Sequence, residues 1–268
     1  MLLLFNHDGL SFHYQDTGFG MPFLFQHGLG GDVNQPFGLF RPPAGIRLIG
    51  FDARGHGETR PLGPPEKISI ASFADDLLAL MDHLELPRAV VGGISMGAAM
   101  TLNFAVRFPG RVRGLVLSRP AWLDRPFPEN VAIFAQIARM IREHGAKRGK
   151  EIFQQSLVYQ KLRVEFPDTA NSLTAQFDHP RAEETVVKLE RIPNDTPVDT
   201  LEKLSGISVP TLVLANKQDP IHPFEFGQIL GTAIPAAEFR ELTSKSISLE
   251  RHEAEVQTLL TEFFQGRF

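Results

Sequence analysis

Short apolar runs alternate along this chain with longer segments whose apolar residues recur at helical spacing. Residues 22–26, 46–52 and 88–92 are rich in Phe, Val, Ile and Leu and are bounded by polar residues, Gly or Pro, which is typical of buried strands. Segments 72–84 and 248–264 place apolar residues three and four positions apart, as amphipathic helices do. Strands that alternate with helices predict a mostly parallel, doubly wound sheet of the α/β class.

The first residues predict a hairpin. Residues 2–5 and 10–15 read as two strands joined by His7-Asp8-Gly9. The apolar run 1–5 has no basic residues before it and is too short to cross a bilayer, so a strand is expected there and not a signal sequence.

One long segment differs from the rest of the chain in its pattern of apolar residues. Residues 123–205 are mostly helical by pattern, and Gly145 is expected to end the first of these helices. We therefore predict a core domain formed by residues 1–122 and 206–268, with residues 123–205 inserted as a helical cap.

Composition narrows the possible functions. The 268 residues are 43% hydrophobic, carry a formal net charge of −4 and include no cysteine. Disulfides and thiolate chemistry are excluded, and a nucleic-acid partner is not expected because no basic run is present. No H-x-x-x-H or H-E-x-x-H spacing indicates a metal, and no Gly-rich phosphate loop indicates a nucleotide cofactor. We expect no cofactor, no membrane association and a cytoplasmic location, and the sequence allows a homodimer.

The segment with the clearest chemistry is Gly93-Ile94-Ser95-Met96-Gly97, which lies between a predicted strand and a predicted helix. A serine in such a tight turn projects its hydroxyl above the sheet. The N-terminus of the following helix directs its amide groups at charge that develops there. The pattern favours a nucleophilic serine over a plain Gly-rich turn.

Several polar residues follow directly after predicted strands: His27, Asp52, Ser95, Ser118 and Asp219. The carboxyl ends of parallel strands meet at one edge of a sheet, so these residues are expected to converge there.

Four segments, in this order, resemble the α/β-hydrolase superfamily: residues 27–31, 51–57, 93–97 and 216–223. The resemblance covers nearly the whole chain. It implies a serine nucleophile at Ser95, an acid at Asp219, and an oxyanion hole formed by the backbone amides of Leu29 and Met96.

The chain differs from the family in the position of the histidine that acts as the catalytic base. The family places a histidine in the loop after the last strand, whereas residues 243–248 contain none. His222 lies three residues after Asp219 and is the first substitute, although it could instead cap the next helix. His252, in the first turns of the last helix, is the less favoured candidate.

Aromatic residues in and near the insertion suggest an apolar pocket. His27 and Trp122 are assigned to substrate binding, although His27 could instead brace its own loop, and Arg119 or Arg125 could receive a carboxylate. We predict a serine hydrolase that acts on a small to medium apolar ester or related acyl substrate through a Ser95 acyl-enzyme. The alternative is a protein of this fold that binds a ligand, or runs cofactor-free chemistry, without an acyl-enzyme.

Overall fold

The computed structural model describes residues 3–268, and a single sheet of eight strands organises them. The strands are β1 (Leu3–His7), β2 (Leu10–Asp16), β3 (Met21–Gln26), β4 (Ile46–Phe51), β5 (Ala89–Ile94), β6 (Val112–Ser118), β7 (Thr211–Ala215) and β8 (Ala237–Glu241). Their order is β1-β2-β4-β3-β5-β6-β7-β8, antiparallel at β1-β2 and β2-β4 and parallel from β4 to β8. The predicted mostly parallel α/β sheet is confirmed.

The helices connect these strands. They are α1 (Asn34–Leu39), α2 (Ile70–His83), α3 (Met96–Arg107), α4 (Ala132–Gln155), α5 (Leu157–Glu165), α6 (Pro167–Asp178), α7 (Val187–Arg191), α8 (Phe224–Ala233) and α9 (Leu249–Arg267). Short 3-10 turns occupy Pro65–Lys67, Pro109–Arg111, Glu129–Val131, Ile192–Asn194 and Leu201–Gly206. Within the described residues, no helix combines the length and the apolar character needed to cross a membrane.

Two apolar clusters cover the two faces of the sheet. The larger one packs α2 and α3 against strand residues such as Val91 and Leu117. The smaller one packs α9 against the other face, where Phe264 meets Phe23 with ring centroids 5.0 Å apart. Central strands buried on both faces explain why the sequence shows continuous apolar runs there instead of alternation.

The first hairpin forms as expected, with β1 and β2 antiparallel and joined through Asp8 and Gly9. Its predicted start at residue 2 lies outside the described residues.

One detail of the helix predictions differs from the structure, and another is confirmed. Helix α2 begins at Ile70, ahead of the predicted segment 72–84, because the Ser69 hydroxyl accepts the Ser72 amide and caps the helix there. Gly145 interrupts α4 as expected. Its backbone leaves helical geometry at φ 74° and ψ 164°, so one helix ends at this kink and a second continues to Gln155.

The helices α4 to α7 all lie between β6 and β7 in the chain, as the sequence pattern indicates. They pack mainly on one another, with α4 against α6 and α7, and α5 against α6. The exact boundaries proposed for a core of residues 1–122 and 206–268 and a cap of residues 123–205 remain a prediction.

Candidate active site

Ser95 occupies a strained turn between β5 and α3. Its backbone has φ 56°, a left-handed value that non-glycine residues rarely adopt. A Cβ atom on Gly97 would lie 2.8 Å from the carbonyl oxygen of His27 and would overlap that of Gln26, and a Cβ on Gly93 would overlap the Gly97 backbone. Glycine is therefore required at both positions because backbone segments pass there in close contact.

The Ser95 side chain begins a hydrogen-bonded chain of three residues. The distance from Ser95 Oγ to His222 Nε2 is 2.9 Å, and His222 Nδ1 lies 2.9 and 3.0 Å from the two carboxylate oxygens of Asp219. Because Nδ1 faces a carboxylate, it carries the proton and donates it, and Nε2 is left as the acceptor for the serine hydroxyl. The structure thus brings together Ser95, Asp219 and His222, and it does so with the imidazole oriented as a base requires.

The loop after β7 folds so that a carboxylate and an imidazole three residues apart can meet. Asp219 Oδ1 accepts the backbone amides of Ile221 and His222 at 3.2 and 3.1 Å. This turn, in which an aspartate side chain bonds to the backbone just ahead of it, curls the chain back over its own carboxylate. The ring of His222 is thereby held between Asp219 and Ser95.

A buried arginine also binds the Asp219 carboxylate. Arg119, directly after β6, donates to Asp219 Oδ2 from Nε at 3.0 Å and from a terminal guanidinium nitrogen at 2.6 Å. That terminal nitrogen also lies 3.2 Å from His222 Nδ1, where two donors face each other without a hydrogen bond. Arg119 also lines the cavity beside Ser95, with two of its guanidinium nitrogens held by Asp219, and the suggestion that it receives a substrate carboxylate stays a prediction.

The charges of the three groups follow from these contacts. Burial alone would raise the pKa of Asp219, but the neighbouring His222 and Arg119 hold that pKa well below its usual range, so the carboxylate stays ionised. Burial lowers the pKa of His222, Asp219 partly reverses this effect, and Arg119 adds to it. The imidazole is therefore neutral at neutral pH and free to take a proton.

The two backbone amides that the resemblance assigns to an oxyanion hole have no acceptor among the described residues. Within the described part of the chain, neither the Leu29 amide nor the Met96 amide donates to another group. The loop that carries Leu29 is pinned by the Gly28 amide, which donates to Gln35 Oε1 at 2.7 Å, and by the Gly31 amide, which donates to the Gly28 carbonyl at 2.9 Å. The assignment of both amides to an oxyanion hole stays a prediction.

A cavity of about 130 Å³ opens beside Ser95 and His222. Of the Phe, Tyr and Trp side chains in and near the insertion, Phe134 is the one that lines the cavity. Polar side chains form much of the remaining wall: Gln35, Asp168, Thr169, Ser172, Gln176 and Lys245. The cavity is therefore more polar than the aromatic composition of the insertion indicated. Of these polar residues, Lys245 is the one with a signal in the sequence, since it lies in the loop that lacks the family histidine.

Four candidate residues lie elsewhere. His27 is buried and braces its loop, with Nδ1 donating to the Gly28 carbonyl and Nε2 accepting the Ala53 amide. Trp122 is 2% exposed and packed in the core, so neither residue lines the cavity, and their assignment to substrate binding differs from the structure. His252 donates from Nδ1 to the Thr243 carbonyl at 2.8 Å and is likewise absent from the cavity wall. Arg125 is exposed and lies outside that wall.

A serine on a strand-to-helix elbow, at the carboxyl edge of a mostly parallel sheet, defines the α/β-hydrolase class of fold and site. Between residues 3 and 268, no three His, Asp or Glu side chains come together as a group that could hold a metal ion.

Comparison with known proteins agrees with this class. The sequence profile of the alpha/beta hydrolase fold matches residues 21–242. The chain is 28% identical over 266 residues to the AB hydrolase superfamily protein YisY of Bacillus subtilis, with 93% of each chain covered. It is 26% identical over 254 residues to 3-oxoadipate enol-lactonase 2 of Acinetobacter baylyi, with 88% of this chain and 91% of the relative covered.

Solved structures agree as well. The enol-lactonase from Burkholderia xenovorans LB400 superposes with a TM-score of 0.74 over 98% of this chain and 100% of that chain, at 25% identity. The chain belongs to the α/β-hydrolase family and is an enzyme of that family. The resemblance and the fold expected from the sequence are confirmed.

Proposed function

We propose that this protein is a serine hydrolase that cleaves small carboxylic esters or lactones through an acyl-enzyme on Ser95. One observation carries the proposal: the continuous hydrogen-bonded chain from Ser95 Oγ through His222 to Asp219. The curated relative from Acinetobacter baylyi is described as an enol-lactonase, which supports an ester-like bond as the target.

The first half of the reaction follows from the donor and acceptor positions. His222 Nε2 takes the proton of the Ser95 hydroxyl while Oγ attacks the substrate carbonyl. The Leu29 and Met96 amides donate to the oxyanion of the tetrahedral intermediate, and one such donor typically contributes about 3–4 kcal/mol. The carbon–oxygen bond to the leaving group then breaks, and the His222 imidazolium returns its proton to the departing alkoxide.

The second half repeats these roles with water. His222 takes a proton from a water molecule, whose oxygen attacks the acyl carbonyl, and Ser95 Oγ leaves as the proton is returned to it. Asp219 remains ionised throughout and stabilises the imidazolium, which forms twice in each cycle. The net reaction converts ester and water into acid and alcohol.

The test combines a covalent probe with a serine variant. We expect a fluorophosphonate to label the protein and the label to map to Ser95. We expect Ser95→Ala to hydrolyse 4-nitrophenyl acetate at least about 10⁴-fold more slowly than the unsubstituted protein. Turnover that survives in Ser95→Ala, or a protein that hydrolyses the ester but is not labelled, would favour chemistry without an acyl-enzyme.

A further inference from the structure

The cavity beside Ser95 contains a cation that the reaction described above does not use. Lys245 lies in the loop between β8 and α9 and lines the same cavity as Ser95 and His222. This is the loop in which the sequence lacks the expected histidine, so a lysine stands close to the position that the family gives to its base.

The charged groups around this cavity leave Lys245 without a partner. Arg119 holds the Asp219 carboxylate at 2.6 Å and also lies 4.0 Å from the carboxylate of Asp168 on α6. Among the residues that the structure describes, no carboxylate lies within 4.0 Å of the Lys245 ammonium, and no hydrogen-bond acceptor is found for it. Burial lowers the pKa of Lys245, which is the direction expected for an ammonium drawn out of water without a close counter-ion.

The loop that carries Lys245 is fixed in place on both sides. The Ser244 hydroxyl donates to the Gln218 carbonyl, and the Ser246 amide donates to the Ser244 hydroxyl. His252 donates to the Thr243 carbonyl, which ties the start of the loop to α9. The backbone that places Lys245 in the cavity wall is therefore pinned by hydrogen bonds.

We propose that Lys245 forms an anion subsite that binds a carboxylate on the acyl part of the substrate, so that the preferred substrate is an acidic ester or lactone. The inference rests on the proposed function, because it places the acyl group in the cavity beside Ser95. A cavity of about 130 Å³ is close in size to one that holds a benzene molecule, so it accommodates a short acyl chain. An ionised group at the end of that chain supplies the counter-ion that Lys245 lacks.

The test compares two ethyl esters of similar length, one with a terminal carboxylate and one neutral: monoethyl succinate and ethyl pentanoate. The readout is the ratio of their kcat/KM values. We expect Lys245→Met to lower the acidic-to-neutral ratio by about 10- to 100-fold, the range for loss of a charged hydrogen bond. Lys245→Arg, which keeps the charge, should restore most of the ratio.

Lys217→Met is the matched control. This lysine is exposed, pairs with Glu241 at 3.0 Å and lies outside the cavity wall. Its variant should leave the ratio within about two-fold of the unsubstituted protein. A ratio that changes by less than about three-fold in Lys245→Met overturns the subsite.

A binding measurement separates failure of the subsite from failure of the proposed function. Succinate is titrated calorimetrically into Ser95→Ala and into the double variant that also carries Lys245→Met. Weaker binding in the double variant, by about ten-fold or more, supports the subsite even if neither ester is hydrolysed. Equal binding in both proteins overturns it, whatever the esterase activity shows. Absence of both turnover and fluorophosphonate labelling would instead count against the serine-hydrolase proposal itself.

Discussion

The identity of the catalytic base is the prediction on which the mechanism depends. His222→Gln keeps a side chain of similar length but removes the nitrogen that accepts the Ser95 proton across 2.9 Å. Loss of the base from a serine–histidine pair typically lowers kcat by about 10⁶-fold, which is roughly 8 kcal/mol at about 1.36 kcal/mol per decade. The residual rate should come from substrate binding and from the Leu29 and Met96 amides, which the substitution leaves in place.

Asp219→Asn should have a smaller effect, about 10⁴-fold, because the base remains but its tautomer is no longer fixed. The assay is initial-rate hydrolysis of 4-nitrophenyl acetate by each purified variant, normalised to the folded fraction. Folding must be measured separately for this variant because Arg119 loses a charged partner.

His252→Gln is the informative comparison, since His252 is the other histidine that the sequence offers as a base. Its ring bonds to the Thr243 carbonyl and not to Ser95, so the variant should stay within about three-fold of the unsubstituted activity. His144→Gln, on the exposed surface of α4, controls for the substitution itself. The reasoning is refuted if His222→Gln keeps more than about one hundredth of the activity, or if His252→Gln loses as much as His222→Gln.

Three further predictions concern pH and stability. Activity should fall as pH decreases through the pKa of His222, which burial holds below its ordinary value. Arg119→Gln should move this acid limb of log(kcat/KM) to higher pH, because the substitution removes a cation 3.2 Å from His222 Nδ1. An acid limb at the same pH in the variant would count against this explanation. Gly97→Ala should destabilise the fold by about 2–3 kcal/mol, seen as a lower midpoint in denaturant, whereas Gly38→Ala, where a Cβ meets nothing within 4 Å, should be neutral or slightly stabilising. Burial lowers the pKa of Lys188 to about 7, so between pH 7 and its unfolded value the unfolded chain binds more protons. The free energy of unfolding should therefore rise with pH across that window, by at most about 5 kcal/mol, and Lys188→Met should remove this rise.

Much of the site could be predicted from local sequence. Ser95 and its two flanking glycines lie in one short stretch, between an apolar run and a helical segment. The close backbone contacts that require glycine there belong to this stretch and its neighbours. The position of Asp219 in the loop after β7 could be predicted equally well, because parallel strands bring their carboxyl ends to one edge of the sheet.

The roles of the individual side chains at that edge of the sheet are harder to predict from the sequence than their positions. His27 has the composition and position of a site residue, yet both of its ring nitrogens are occupied by backbone groups. Arg119 lines the cavity, but two of its guanidinium nitrogens are held by Asp219, a pairing that the sequence does not indicate. A sequence shows which groups are present at the edge but not which hydrogen bonds they have already made.

The sequence by itself indicated the mostly parallel α/β sheet and the serine elbow, because both depend on spacing between near neighbours in the chain. Its resemblance to the α/β-hydrolase superfamily implied the acid at Asp219. Only the tertiary structure decided that His222 reaches Ser95 across 127 positions of sequence, and that Lys245 faces the same cavity. Those contacts depend on how the Asp219 turn curls and on how the loop after β8 is pinned. Hydrogen bonds between distant segments set both geometries, and periodicity along the chain carries no information about them.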